Sequence, residues 1–169
     1  MTDFSNRTND EIEQWIINHE AKGVTDVPLY RELLEERARR GEERNHLKIE
    51  ASLALLRQVA AEARCIANPE LAKASGVDWA KARHRMNRPG GHLDHLLDVC
   101  HVRGLPLLPA LCVNQQGLEQ CQPTDAALRV FAEGGRRLGY DVEDERQFHE
   151  EQREACWAWG KNQQLAETA

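Results

Sequence analysis

The sequence predicts a mainly α fold, a helix-turn-helix flanked by helices, in winged-helix form if one short β-hairpin follows it. Three observations carry this. Residues 69–87 read as two short helices joined at Gly76. Apolar residues recur at helical spacing in four further stretches, beginning near Ile12, Leu29, Ile49 and Leu93. The one apolar segment broken by prolines, Leu105 to Asn114, reads as extended.

Taken in order, Thr8-Asn9-Asp10-Glu11 is a capping-box pattern, in which hydroxyl and carboxylate each satisfy a free backbone N–H. The helix it opens places Ile12, Trp15, Ile16 and His19 on one face and stops at Gly23. Asp26 and Pro28 open a second helix with Leu29, Leu33 and Leu34 as its stripe. The run Arg37 to Arg44, dense in both signs of charge, reads as a solvated helix end and turn. A third helix, roughly 45–63, carries Ile49, Leu53, Leu56 and Ala60, widened by Leu55 and Val59.

Asn68 is suited to cap the next helix and Pro69 to begin it, since a first-turn proline gives up only an N–H that has no helical partner. Gly76 supplies the turn and Val77 points back inward. Asp78 is placed to cap the helix Trp79 to Met86. After the loop Arg88-Pro89-Gly90-Gly91, residues 92–103 form an amphipathic helix with Leu93, Leu96, Leu97 and Cys100 inward and Gly104 as its stop. Leu105–Asn114 and Leu118–Cys121 are expected to pair as the hairpin, with Gln115-Gln116-Gly117 as its turn. Thr124-Asp125 then caps a helix through Leu138, which Gly134 and Gly135 weaken by about 1 kcal/mol each. A last helix, about 143–159, sets Phe148, Gln152, Cys156 and Trp159 on one stripe. The expected organisation is a helical module 1–63, a helix-turn-helix core 64–123, C-terminal helices 124–160 packed on it, and a flexible tail 161–169.

Composition bounds the function. Hydrophobic residues make up 41% of the 169 and charged residues 30%, which is ordinary for a globular protein. No apolar run is long enough to span a bilayer and the N-terminus lacks a hydrophobic leader, so a cytoplasmic protein without membrane association is expected. The five cysteines are irregularly spaced with no C-x-x-C pair, which predicts reduced, mostly buried thiols. The net charge of −6 argues against general nucleic-acid affinity, yet residues 71–93 hold five cations and one anion. His92, His95, Cys100, His101, Cys112 and Cys121 lie close in sequence, but without paired ligand spacing the histidines read as surface residues on a polar helix face rather than as part of a metal site. No cofactor motif is present.

The stretch Leu71-Ala72-Lys73-Ala74-Ser75-Gly76-Val77-Asp78 resembles the L-A-x-x-x-G-V-[ST] opening of repressor-type helix-turn-helices of the lactose-repressor kind. The resemblance implies a second helix lying in the major groove. It would present Trp79, Ala80, Arg83, His84 and Asn87 to bases, with Lys73, Lys81 and Arg88 reaching phosphate. Ala82 stands where that family usually has valine. Arg85 stands where an apolar residue should pack, with Met86 as its substitute.

A fainter similarity is to the DNA-binding domain of alkylguanine-DNA alkyltransferases and their cysteine-less relatives. It is carried by Cys65 to Ala72, by Ala82-Arg83, and by the extended segment ending in Gly117. Their Tyr-Gly pair is replaced by Asn68-Pro69, and Leu108-Pro109-Ala110 puts alanine where the reactive cysteine would stand. Cys100 and Cys112 lie near without the base a thiolate nucleophile needs. The resemblance therefore implies a binder without alkyl transfer, with Arg83 matching the arginine that fills the gap left by a flipped base.

The expected function is a non-catalytic DNA-binding protein, a transcriptional regulator, using Lys73, Trp79, Lys81, Arg83, His84, Asn87 and Arg88. The alternative is an acidic helical adaptor or inhibitor that binds a protein partner, such as an accessory protein of a phage or mobile element, with the helix-turn-helix only a scaffold. Residues 1–63 offer a homodimer surface in either case.

Overall fold

A computed structural model describes residues 1–168 of the chain. The mainly α expectation holds. Among the described residues eight helices, α1 (Asn9–Ala21), α2 (Pro28–Asn45), α3 (Ile49–Ala61), α4 (Asn68–Ala74), α5 (Trp79–Met86), α6 (His92–Val102), α7 (Asp125–Arg137) and α8 (Glu145–Thr168), surround a single apolar core. The only strands among the described residues are β1 (Ile66–Ala67) and β2 (Cys112–Val113).

Several ends form where local chemistry places them. Thr8 Oγ1 accepts from Glu11 N at 3.1 Å and Thr124 Oγ1 from Ala127 N at 3.3 Å, each satisfying a first-turn donor. His46, at φ 60°, closes α2 and separates it from α3, which therefore starts later than the apolar spacing alone suggests. Gly76, at φ 73°, turns the chain between α4 and α5.

α6 is the central element. From His92 to Cys100 every residue is buried. α2 packs along one side of it, α7 and the turn 108–111 along others, while α3 packs on α8. The segments 1–63, 64–123 and 124–160 thus contribute to one core rather than to separate ones.

The remaining expectations need correction. The segment 105–121 does not fold back as a hairpin. Leu108–Leu111 is a 3-10 turn, and Cys112–Val113 pairs in parallel with Ile66–Ala67, which lies far back in sequence. The two prolines at 106 and 109 remove the N–H groups that an antiparallel ladder would use. The charged run 37–44 is not a solvated turn, because α2 continues to Asn45 and Arg37 and Arg40 are only 12% and 15% exposed. Gly134 and Gly135 are close-approach positions. A Cβ on Gly135 would stand 2.7 Å from the Phe148 ring, and one on Gly134 would meet Leu97. Finally, α8 runs through Thr168, so the tail expected to be flexible is helical over its described length.

The cysteines are not all reduced. Cys65, just before β1, and Cys121, just after the 3-10 turn that follows β2, are joined in a disulfide with Cα atoms 5.7 Å apart. The parallel pairing of β1 with β2 brings their neighbourhoods together, and no local spacing announces it. Cys100, Cys112 and Cys156 remain free and buried. No helix among the described residues is long and apolar enough to cross a membrane.

Candidate nucleic-acid interface and the cavity beside it

α4 and α5 form the helix-turn-helix, with Leu71, Ala72, Ala82 and Met86 buried between them and the core. Met86 fills the position that Arg85 vacates. The Arg85 guanidinium turns to donate to Asn45 O at 3.4 Å, at the end of α2. Ser75, at the turn, accepts from Lys48 N at 2.8 Å and so fixes the unit to the start of α3. Asp78 holds the N-cap position of α5 in extended conformation without a side-chain cap bond. At α4 the cap is Ala67 instead of Asn68. The Asn68 side chain is buried and accepts from Cys112 Sγ at 3.1 Å.

The residues expected to meet DNA divide into two groups. Lys73, Lys81, Arg83, His84 and Arg88 are exposed. Arg83 Nε approaches His84 Nε2 at 3.2 Å, and Lys73, Lys81, Arg83 and Arg88 pair with no carboxylate among the described residues. Trp79 is half-buried and packed against the core, and Asn87 lines a small internal cavity with Leu93, Leu97 and Phe131. The helix geometry turns these two partly inward.

The histidine and cysteine group disperses. His92 Nε2 lies 2.8 Å from Ser52 Oγ, His95 packs on Gly41, His101 meets the Tyr140 ring edge-on at 5.9 Å, and Cys121 is in the disulfide. His92 and His95 are buried, contrary to the surface reading. Burial pushes their pKa values down to about 3 and about 4, so both rings are neutral at pH 7. Among the described residues no three such side chains converge as metal ligands would. Burial pushes the Cys100 thiol up to about 12 and raises Cys112 further, which keeps both protonated and unreactive.

Sequence patterning missed a buried ionic network that radiates from α6. The Asp98 carboxylate is fully buried, with Arg37 Nη2 at 2.6 Å on one side and Arg137 Nη2 at 2.6 Å on the other. Burial alone would raise its pKa, but Arg137 and Arg37 outweigh burial and hold it below the ordinary value. Arg37 also donates to Glu13 at 2.9 Å, Arg137 reaches Glu20 at 3.4 Å, and Tyr30 donates to Glu20 at 3.0 Å. α1, α2, α6 and α7 are joined through it. Arginine suits the arrangement because one planar fork serves two carboxylates while its stem stays in apolar surroundings.

This network forms one wall of a cavity of about 370 Å³, and Pro89 and Gly90, just past α5, form another part. Asp94 Oδ2 accepts from Gly90 N at 2.8 Å, tying that loop to α6. Asp94 Oδ1, His95 Nδ1 and Arg37 Nε are buried without a hydrogen-bond partner. Arg137 Nη2 likewise makes no hydrogen bond, although it is ion-paired with Asp98. An unsatisfied buried polar atom typically costs about 1–3 kcal/mol, so several on the residues lining one cavity call for an explanation. Burial raises the pKa of Asp94, against the pull of Arg137 and the Gly90 N–H.

No protein-family model matches the chain. No curated protein matches it, and no solved structure does.

Proposed function

We propose that the protein binds DNA without catalysis, as a transcriptional regulator of helix-turn-helix type. The observation that supports this is the exposed face around α5. Lys73, Lys81, Arg83 and Arg88, with His84 among them, stand without carboxylate partners on a chain whose net charge is −6. Elsewhere many arginines are neutralised in place, as at Arg39, Arg40, Arg136 and Arg137. Cations left unpaired together on and beside a short helix match a phosphate backbone, and the acidic body limits binding elsewhere. In this reading Arg83 and His84, both exposed, meet base edges. A cytoplasmic location goes with this reading, and the Cys65–Cys121 disulfide weighs against it.

Gel-shift titration of mixed duplex DNA at several salt concentrations tests it. Four phosphate-neutralising cations give a logarithmic salt slope of about −4 at most. Arg83→Ala should weaken the complex while the circular dichroism spectrum stays unchanged. Equal affinity in that variant, or no shift at low salt, overturns the reading.

A protein partner or a second copy of the chain is the other reading, favoured by Ile17, Val24 and Leu29. These side chains of the N-terminal region remain 47%, 41% and 37% exposed. Such an interface would be largely insensitive to salt.

A further inference from the structure

The cavity beside α5 has a lining that its own residues leave incomplete. Of its four arginines, Arg37 is engaged by Glu13 and Asp98, Arg137 by Asp98 and Glu20, and Arg40 by Glu36 and the Phe4 and Arg7 carbonyls. Arg44 is exposed and pairs with no carboxylate among the described residues. At the buried end, Asp94 is 8% and His95 2% exposed, and Asp94 Oδ1 and His95 Nδ1 have no partner. Two buried acceptors on lining residues, Asp94 Oδ1 and His95 Nδ1, and one exposed cation, Arg44, are thus without partners, beside the buried donors Arg37 Nε and Arg137 Nη2, which make no hydrogen bond.

We propose that this cavity binds a small zwitterion of the free α-amino acid class, its ammonium group donating to Asp94 Oδ1 and its carboxylate meeting Arg44. A ligand carrying both charges completes both ends without adding net charge to a crowded ionic network. A simple anion would leave the Asp94 oxygen unpaired and bring a second negative charge toward it. A simple cation would leave Arg44 unmatched. The neutral His95 ring does not repel an ammonium group, and its Nδ1 can accept a second N–H in the tautomer protonated at Nε2. The volume of about 370 Å³ is within the range of small-molecule sites, and Ile12 and Pro89 provide apolar wall for a side chain. Asp94 also holds Gly90 N, so occupancy acts on the loop that carries the end of α5.

The test is calorimetric titration and thermal unfolding of the full chain with each standard L-amino acid in turn, with acetate and methylamine as single-charge probes. At least one amino acid should bind at one site per chain and raise Tm, while neither single-charge probe does. Arg44→Ala, on an exposed side chain, and Asp94→Asn should each weaken that binding about tenfold or more, the loss of one charged hydrogen bond. Should Asp94→Asn fail to fold, Arg44→Ala and the methyl ester of the bound amino acid still test the carboxylate end. Absence of binding by every amino acid, equal binding of acetate, or unchanged affinity in Arg44→Ala would overturn the proposal. No nucleic acid enters the experiment, so its outcome is separate from that of the DNA reading.

Discussion

Asp98 Oδ1 lies 2.6 Å from Arg137 Nη2, and this pair fastens α6 to α7 at a point fully removed from solvent. Arg37 approaches the same carboxylate from α2, so three helices meet at one side chain.

Asp98→Asn keeps the shape and removes the charge, leaving two guanidinium groups facing each other. Breaking a buried pair on one side typically costs about 3–5 kcal/mol. Urea unfolding should show a lower midpoint with an unchanged slope. Because the folded pKa of Asp98 is depressed, its stabilisation is complete above the unfolded value of 3.8 and is lost as pH falls through the lower folded value. The variant should therefore show a smaller loss of stability below pH 3.8 than the parent. An unchanged midpoint would show that the pair contributes no net stability.

His92 and His95 set a second pH dependence. Both are neutral in the folded state, with pKa values near 3 and 4 against 6.5 when unfolded. Their contribution is complete above pH 6.5 and is lost as pH falls toward 4, by about 1.4 kcal/mol per pH unit for each ring. Asp94 and Glu20, both raised by burial, oppose the trend at the acid end of that window. His92→Gln should flatten the stability profile between pH 6.5 and 4 by the share of one ring. A parallel profile would mean that His92 titrates normally in the folded protein.

Gly160 packs against the Ala60–Ala61 backbone where α8 crosses α3, and a Cβ there would overlap main-chain atoms. Alanine in an exposed helix interior gains about 1 kcal/mol over glycine. Here that gain is outweighed, because backbone cannot rotate aside as a side chain can, and overpacking costs about 1–3 kcal/mol or more. Gly160→Ala should lower Tm. A higher Tm would show that α8 does not lie against α3 at this point.

The cysteines give a direct chemical check. Thiol titration of the denatured chain without reductant should find three free groups, and five after reduction. The chain-entropy model gives about 4 kcal/mol for a loop of 56 residues, so reduction or Cys65→Ala should lower thermal stability. Five titrating thiols before reduction would show that the disulfide is absent.

The sequence by itself determined the elements whose signals are local. Thr8 and Thr124 cap α1 and α7 because a hydroxyl three residues from a free N–H is a contact within one turn. Gly76 between Leu71-Ala72 and Trp79 marks the helix-turn-helix, since a left-handed residue between two apolar faces is a property of a few consecutive residues. The cations of α5 were legible for the same reason, as they fall within a few consecutive residues.

Only the tertiary structure decided what depends on distant partners. Arg37 and Arg40 read as solvated because charge is hydrophilic in isolation, and only Glu13, Glu36 and Asp98 arriving from other turns and helices make their burial affordable. The histidines of α6 read as surface residues for want of a visible cover, which α2 and α3 supply. The pairing of Ile66 with Cys112, and of Cys65 with Cys121, joins segments about 50 residues apart whose intervening loop leaves no periodic mark. Asp94 and the cavity it faces belong to the same class. Spacing within a helix says which residues share a face, but the charge and shape of what covers that face are set by other parts of the chain.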